Sequence, residues 1–401
     1  MKILHVLPSL SYRLGGPTEA AINMVKGLQQ LGVEAEIATT NDDETGLLDV
    51  PTGQRIDYAG VPVWFFPRLA RLKAFIPSVG LTQWLVHNLR HYDLIHTHYL
   101  FCYAPTVAAR LAQVYAVPYV SSTIGQLTPW ALQQGRRKKQ LYGRLIERST
   151  LNRAAAIHCT TSAEAADVRR FGVTAPALVL PLGVHFAPAM LNAAAALRDR
   201  YSLPPDSTVA LFLSRLHGKK RPDFLLRAFA QLSPRLHRYH LLLAGSGEAD
   251  YCDRLQALAH DLGIADSVTF TGFVSGSDKD LLLQGSDLFA LPSYSENFGI
   301  AVAEALAAAL PVLITPEIQI AVDIAAARAG LVIPSCLDDW TDALAKLLSS
   351  AELRGQLGHN GQRLASTKYG WPAIAQNLAQ SYREILTSQP LSFSSQEAAP
   401  E

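Results

Sequence analysis

Short apolar runs alternating with helix-period stretches constrain this chain more than any other feature of its sequence. Lys2-Ile-Leu-His-Val-Leu-Pro8 is an apolar run that stops at a proline and reads as a buried strand. Gly15-Gly16-Pro17-Thr18-Glu19 follows and opens a helical stretch over Ala20–Leu31. Gly32 caps that stretch, and Val33–Thr39 reads as the next strand. A strand–helix–strand unit of this kind connects with a right-handed crossover. The alternation continues through strands at Asp93–His98, Pro118–Ser122, Ala154–Cys159 and Ala177–Leu180, with a helix at Thr106–Tyr115. A second series begins after Pro204-Pro205. Its strands are Thr208–Ser214, His240–Ala244, Ser267–Thr271, Leu288–Leu291 and Pro311–Thr315. Its helices are Pro222–Leu232, Tyr251–Leu262, Asp280–Gln284 and Phe298–Ala309. Strands separated by helices imply an α/β fold with parallel sheets covered on both faces. Ligands of such sheets bind beyond the carboxyl ends of the strands.

The 401 residues suffice for two such domains. We expect an N-terminal domain over 1–185, a C-terminal domain over 186–370, a last helix over 371–387 and a disordered tail over 388–401 rich in Ser, Gln and Ala. With 49% hydrophobic and 17% charged residues the chain can build real cores. A net charge of +1 gives no electrostatic footprint for nucleic acid. Cys102, Cys159, Cys252 and Cys336 are far apart and form no CxxC pair, so neither a disulfide framework nor a zinc site is expected. The apolar core of Met1–Leu10 is too short for a signal peptide, and no run approaches the ~20 apolar residues of a membrane span. These features point to a cytoplasmic chain.

The most informative segment is Ser293-Tyr-Ser-Glu296-Asn-Phe-Gly299-Ile-Ala-Val-Ala-Glu304. A loop carrying Glu296 runs into a helix whose unpaired N–H groups and positive dipole end suit a diphosphate. Glu304 lies eight residues further on, at most about 12 Å away at helical rise. One carboxylate could hold sugar hydroxyls and the other ribose hydroxyls. Glu304 stands between Ala303 and Ala305 in an apolar helix, an odd place for a merely solvated acid. Ser214-Arg215-Leu-His-Gly-Lys219-Lys220-Arg221 directly follows a strand, and its cations could neutralise charge growing on a leaving phosphate. The common alternative is a solvated basic turn. Gly15-Gly16 opens a helix and allows close approach of backbone to a ligand, or is simply a tight turn. His96 and His98 alternate on one strand and share a face. No carboxylate or cysteine at ligand spacing joins them, so we expect a polar contact with a sugar rather than metal ligation, with one of the two a satisfied structural histidine by default. Gly272-Phe273-Val274 follows another strand, where backbone could read a base. Gly245-Ser-Gly247 is half a dinucleotide fingerprint without its third glycine, which argues against a dehydrogenase. Arg136-Arg-Lys-Lys139 is a solvated helix face or a patch for an anionic membrane surface or acceptor.

Together these residues resemble the retaining glycosyltransferases of family GT4, which have the GT-B fold of two Rossmann-like domains facing across a cleft. The resemblance runs from Met1 to about Leu386. It rests on Glu296-x7-Glu304 set in Pro-Ser-x-x-Glu-x-Phe-Gly, with Ser214-Arg-Leu and Lys219-Lys220 upstream. It implies a hexose-type sugar moved from a nucleoside-diphosphate donor, UDP- or GDP-linked, to a glycan, lipid-linked or small-molecule acceptor, without metal or cofactor. By motif, Gly15 and Gly16 would approach the donor phosphates and sugar, and Arg215 and Lys220 the diphosphate. Glu296 would contact the sugar hydroxyls, and the backbone of Asn297, Phe298, Gly299 and Ile300 sugar and phosphate. Glu304 would bind ribose and Val274 would lie by the base. His98 would stand beside the transferred sugar, with His96 in reserve. The last helix would cross back onto the N-terminal domain.

The resemblance also implies retention of configuration, by same-face substitution with help from the leaving phosphate. Pro129-Trp-Ala-Leu132 with the basic run resembles a subgroup of exopolysaccharide or lipid-linked glycan assembly, for which peripheral contact with the inner membrane face is expected. Two departures stand out: Ala309 where glycine is common, and Pro316–Ala329 without a glycine-rich loop. The second touches none of the proposed catalytic groups in this reading. Two further readings keep the fold and change the role: a non-catalytic nucleotide-sugar-binding subunit, and a nucleotide-sugar epimerase that would act without acceptor.

Overall fold

The computed structural model describes residues 1–11, 15–44, 46–69, 75–133, 142–232 and 238–393. The basic run Arg136–Lys139 therefore lies outside the described residues, as do residues 394–401. The chain divides into two compact units, Met1–Gly183 with Trp371–Glu401, and Val184–Gly370. No helix among the described residues is long and apolar enough to cross a membrane.

The first unit is built on eight strands: β1 (Lys2–Ser9), β2 (Glu34–Thr40), β3 (Arg55–Tyr58), β4 (Val61–Phe66), β5 (Leu94–His98), β6 (Tyr119–Ser122), β7 (Ala156–Cys159) and β8 (Ala177–Val179). Their order in the sheet is β8-β7-β6-β5-β1-β2-β4-β3. All neighbours are parallel except β3 and β4. That antiparallel pair, which the sequence reading did not include, turns on Ala59-Gly60, both at positive φ as a two-residue hairpin demands. β1 is buried from Ile3 to Ser9 because helices cover both faces. The chain leaves β1 in one direction through β2 and in the other through β5, so the switch point lies at the carboxyl ends of β1 and β5. His98 is the last residue of β5.

Helix α1 (Gly16–Gln30) covers this sheet, and the C-terminal helix Trp371–Leu386 packs on α1. The C-terminal helix buries Trp371, Ile374, Ala375, Leu378 and Tyr382, a three-to-four-residue spacing that gives one apolar stripe. A Cβ at Gly27 of α1 would stand 2.6 Å from that of Ala375, and one at Gly183 would fall 2.2 Å from the Trp371 ring. Both glycines are places of close approach. At the chain end, the Val179 N–H donates to the Phe393 carbonyl (3.0 Å), placing residues up to 393 beside β8.

The second unit carries six parallel strands: β9 (Thr208–Leu213), β10 (Tyr239–Ala244), β11 (Val268–Gly272), β12 (Leu288–Leu291), β13 (Val312–Ile314) and β14 (Gly330–Val332). Their order is β11-β10-β9-β12-β13-β14. Its switch point lies between β9 and β12, so the loops leaving those two strands are neighbours although about 80 residues separate them. The helix after β12 spans Ile300–Ala307, shorter than the Phe298–Ala309 read from sequence. Gly299, at φ 88, is its left-handed N-cap, and the preceding Phe298 turns inward to meet Tyr369 edge-on at 5.4 Å.

Candidate active site

In the second unit the switch point brings the basic loop after β9 against the acidic loop after β12. The Lys220 ammonium donates to Glu296 Oε1, and the Tyr294 N–H donates to the Lys219 carbonyl at 2.9 Å. The ion pair is mostly buried, with side chains 13% and 11% exposed, so solvent screens it weakly. Arg215 is exposed and makes no ion pair among the described residues. Burial lowers the pKa of Lys219; nearby Glu296 opposes that, while Lys220 and Arg215 add to it. Arg221 has another task. Its guanidinium stacks between the rings of Phe224 (4.1 Å) and Tyr294 (4.3 Å) and donates to Ser335 Oγ at 2.6 Å.

Glu296 is held from a side the sequence reading discounted. Its N–H donates to the Glu317 carbonyl (3.1 Å), and its carbonyl accepts from the Gln319 N–H (3.2 Å). The expectation that Pro316–Ala329 touches no proposed catalytic group is thus corrected. The segment after β13 pairs with the Glu296 loop because β13 and β12 are adjacent strands. At Gly299 a Cβ would meet Ile318 at 3.0 Å, and φ 88 already favours glycine. Beyond Gly299 the first N–H groups of the Ile300–Ala307 helix have no helical partner. Phe298 is 3% exposed, so only its backbone is left to reach a ligand.

Glu304, on the same helix, pairs with Lys279 at 2.7 Å. Lys279 went unnoticed in the sequence because a lone lysine between Asp278 and Asp280 has no spacing that ties it to Glu304. It sits on the helix Gly276–Gly285, just past the loop that carries Val274. Gly245 and Gly247 are explained by packing: a Cβ at either would fall within 2.2 Å of the Ser214 or Leu216 carbonyl oxygen. They let the loop after β10 lie against the loop carrying Arg215.

The first unit's carboxyl edge is centred on neutral histidines. Gly15 is the N-cap of α1 at φ 78 with nothing near a would-be Cβ, so conformation alone selects glycine. Gly16 is the first residue of α1. His98 lines a cavity of about 20 Å³ with Pro17, Met24, Ser122 and His158. Behind it lie three more buried histidines, of which sequence spacing had shown only His96. His5 stands level with His96 on the neighbouring strand, and His158 comes from β7.

The Leu180 carbonyl fixes the direction of one hydrogen-bond chain. It can only accept, so His158 Nε2–H donates to it (2.9 Å), and Ser122 Oγ–H donates to His158 Nδ1 (2.9 Å). His96 Nε2–H then donates to Ser122 Oγ (2.7 Å), and Tyr382 O–H donates to His96 Nδ1 (2.6 Å). Ring nitrogens of His5, His96 and His98 lie within 4.8 Å of one another, a spacing that could hold a metal ion. Both nitrogens of His96 are engaged by Tyr382 and Ser122, however, which leaves two ligands. The same bonds remove His96 as a reserve for a ligand contact.

His5 Nδ1 and His98 Nε2 are 2.9 Å apart, and His5 Nε2 is buried without a partner. An orphaned lone pair costs less than an orphaned N–H, so His5 Nδ1–H donates to His98 Nε2. His98 Nδ1 then carries the proton. Burial lowers the pKa of His98 well below the usual histidine value, with His5 and His158 adding to it, and lowers that of His5 to about 3. His98 is therefore a neutral donor.

Comparison with known proteins gives this arrangement its family. The family described as "Glycosyl transferases group 1" matches residues 194–364, and "Glycosyl transferase 4-like domain" matches residues 15–183. The chain is 31% identical over 392 residues to "D-inositol 3-phosphate glycosyltransferase 2" of Catenulispora acidiphila, covering 92% of this chain and 90% of that one. Among solved structures it resembles the sucrose-phosphate synthase of Thermosynechococcus elongatus (TM-score 0.77, 21% identity, covering 97% of this chain and 100% of that one). Anabaena HepE in complex with UDP and glucose is equally similar (TM-score 0.77, 21% identity, 96% and 100%). The chain belongs to the group 1, GT4-like glycosyltransferases and has the GT-B fold.

Proposed function

We propose that this glycosyltransferase moves a hexose-type sugar from a UDP-linked donor to a hydroxyl acceptor with retention of configuration. The supporting observation is the Lys220–Glu296 ion pair at the second unit's switch point. Each partner stands in for what the other would bind: the Glu296 carboxylate for a diphosphate oxygen on Lys220, and the Lys220 N–H for a sugar hydroxyl donor on Glu296. An arriving diphosphate draws Lys220, with Arg215, onto its oxygens. Glu296, released, accepts from the sugar hydroxyls. The first N–H groups of the helix after Gly299 face developing phosphate charge, where fixed dipoles stabilise a transition state most. Glu304 takes the ribose, and the backbone at Val274 meets the base. Gly15 and Gly16 serve donor phosphate and sugar. His98, donating from Nδ1, orients the sugar as it transfers. Cations and helix ends perform the charge neutralisation, so the reaction runs without metal. UDP is chosen over GDP because HepE was solved with UDP.

The acceptor is a glycan, a lipid-linked saccharide or a small polyol, in polysaccharide or glycoconjugate synthesis, at the cytoplasmic side. The inositol-phosphate activity in the relative's name makes a phosphorylated inositol the first acceptor to try. The test is acceptor-dependent release of UDP from UDP-glucose and related donors with EDTA present. Release that needs acceptor, with the product's anomeric configuration matching the donor's, supports the reading. Donor conversion without acceptor would instead mark an epimerase.

A further inference from the structure

A cavity of about 530 Å³ opens at the other end of the first unit's sheet, where β1 and β2 begin. That volume lies in the range of small-molecule sites. Leu94 is level with Ile3, and the four residues from there to His98 put roughly 13 Å of sheet between this cavity and the histidine edge.

Three aromatic rings wall the cavity. Trp64 and Trp84 lie 5.1 Å apart between centroids, and Trp84 and Tyr92 6.2 Å. A buried carboxylate holds two of them in place. Glu36 is 6% exposed and accepts from the Tyr92 hydroxyl, from Trp64 Nε1 (3.1 Å) and from Arg55 Nε (2.8 Å). Burial works to raise the pKa of Glu36, and these bonds outweigh it, so the carboxyl sits below its usual range. The Lys2 ammonium lies over the Tyr92 ring at 4.9 Å.

The walls leave polar capacity unused. Among the described residues the Trp84 indole N–H and the terminal nitrogens of Arg55 have no hydrogen-bond partner. Gln29 and Asn88 each donate one amide N–H to the Ala35 and Trp84 carbonyls, and their side-chain oxygens remain as acceptors. Flat apolar faces ringed by both donors and acceptors match a ligand with apolar C–H faces and a hydroxyl edge. Lys2 and Arg55 are balanced by Glu36 and Glu34, so the lining does not select for a free anion.

We propose that this cavity is a second ligand site, separate from the transfer machinery, that takes a neutral pyranose-class saccharide against Trp64 and Trp84. The inference does not require the donor-site reading above. In a sugar-transferring enzyme such a site would hold a glycan away from the reacting centre.

Indole N–H signals of the full-length chain test it, because the chain has five tryptophans and Trp64 and Trp84 alone line the cavity. Methyl α-D-glucopyranoside or methyl α-D-mannopyranoside should shift the Trp64 and Trp84 signals, saturating near about 1 mM. The buried Trp340 reports any global change. Trp84→Phe should weaken that affinity by about tenfold, the scale of aromatic contacts. Arg55→Lys, which keeps a cation beside Glu36 and removes the free guanidinium nitrogens, should weaken it as well. Three results would overturn the site: no Trp64 or Trp84 shift with either sugar, unchanged affinity in both variants, or an equal response to inorganic phosphate or UDP. A sugar response in a chain that fails to bind UDP would sink the donor reading and leave this one standing.

Discussion

The carboxyl edges of the two sheets share a topology and differ in electrostatics. In the second unit the carboxyl edge gathers two ion pairs, Lys220 with Glu296 and Lys279 with Glu304, and the exposed Arg215. In the first unit it gathers His5, His96, His98 and His158, rings kept neutral by burial. A parallel sheet thus fixes where chemistry sits and leaves its character to the loops. A charged edge grips a charged ligand through exchangeable ion pairs. A cluster of neutral histidines holds one donor, His98, at a fixed orientation through His5.

The sharpest division between the edges should appear in kinetics. His98→Ala should lower kcat by about a hundredfold while UDP affinity stays within about a factor of two, because the group acts on the sugar and not on the nucleotide. If His98→Ala retains full turnover at saturating substrates, the assignment is wrong.

A structural carboxylate comes next. Glu164, 1% exposed, accepts from Thr123 Oγ1 (2.5 Å), the Gly125 N–H (2.6 Å) and the Thr160 N–H (2.7 Å). It pins the loops that leave β6 and β7 beside the histidines. Glu164→Ala strands several buried donors and should cost about 3 kcal/mol of stability by urea denaturation. A loss below about 1 kcal/mol would mean those loops hold themselves.

Acid should separate the units. The buried histidines have folded pKa values below 6.5, so the unfolded state binds more protons as pH falls. Their contribution to stability is intact above 6.5 and is lost as pH drops from there toward about 3, the value for His5. Each such histidine adds a slope of about 1.4 kcal/mol per pH unit within that window. Among the described residues of the second unit, burial lowers the pKa of His240 to about 4. Hydrogen exchange at pH 5 should therefore show the first unit opening before the second. Equal protection in both would break the comparison.

The smallest effect concerns backbone. Ala309 holds φ 58, a left-handed conformation that glycine adopts at little cost. Ala309→Gly should stabilise the second unit by up to about 1 kcal/mol, and a destabilised variant would show that the alanine methyl packs usefully.

Much of this was legible in the sequence for a local reason. Each strand is an apolar run, and each loop that follows one carries its own chemistry, so Lys220, Glu296 and Glu304 could be placed at a sheet edge one by one. Their pairing could not. Lys220 meets Glu296 across 76 residues because β9 and β12 are neighbours in the sheet, and no spacing encodes strand order. His5 and His158 were missed on the same ground: each stands on a different strand from His96. The contact of Glu317 and Gln319 with Glu296 likewise needs β13 beside β12. The Trp64–Trp84–Tyr92 wall joins β4, the helix Val79–Asn88 and a residue two before the start of β5, which sequence separation hides.

The central claim is that the second unit's switch point is a nucleotide-sugar site built on Lys220 and Glu296. It is tested most directly by the thermal stability of wild type and Lys220→Ala with UDP, GDP and ADP in the presence of EDTA. UDP at a hundredfold excess over its dissociation constant should stabilise the wild type by about 2.7 kcal/mol, and the stabilisation should vanish in Lys220→Ala. No stabilisation by any nucleotide, or an equal one in both proteins, would contradict the account.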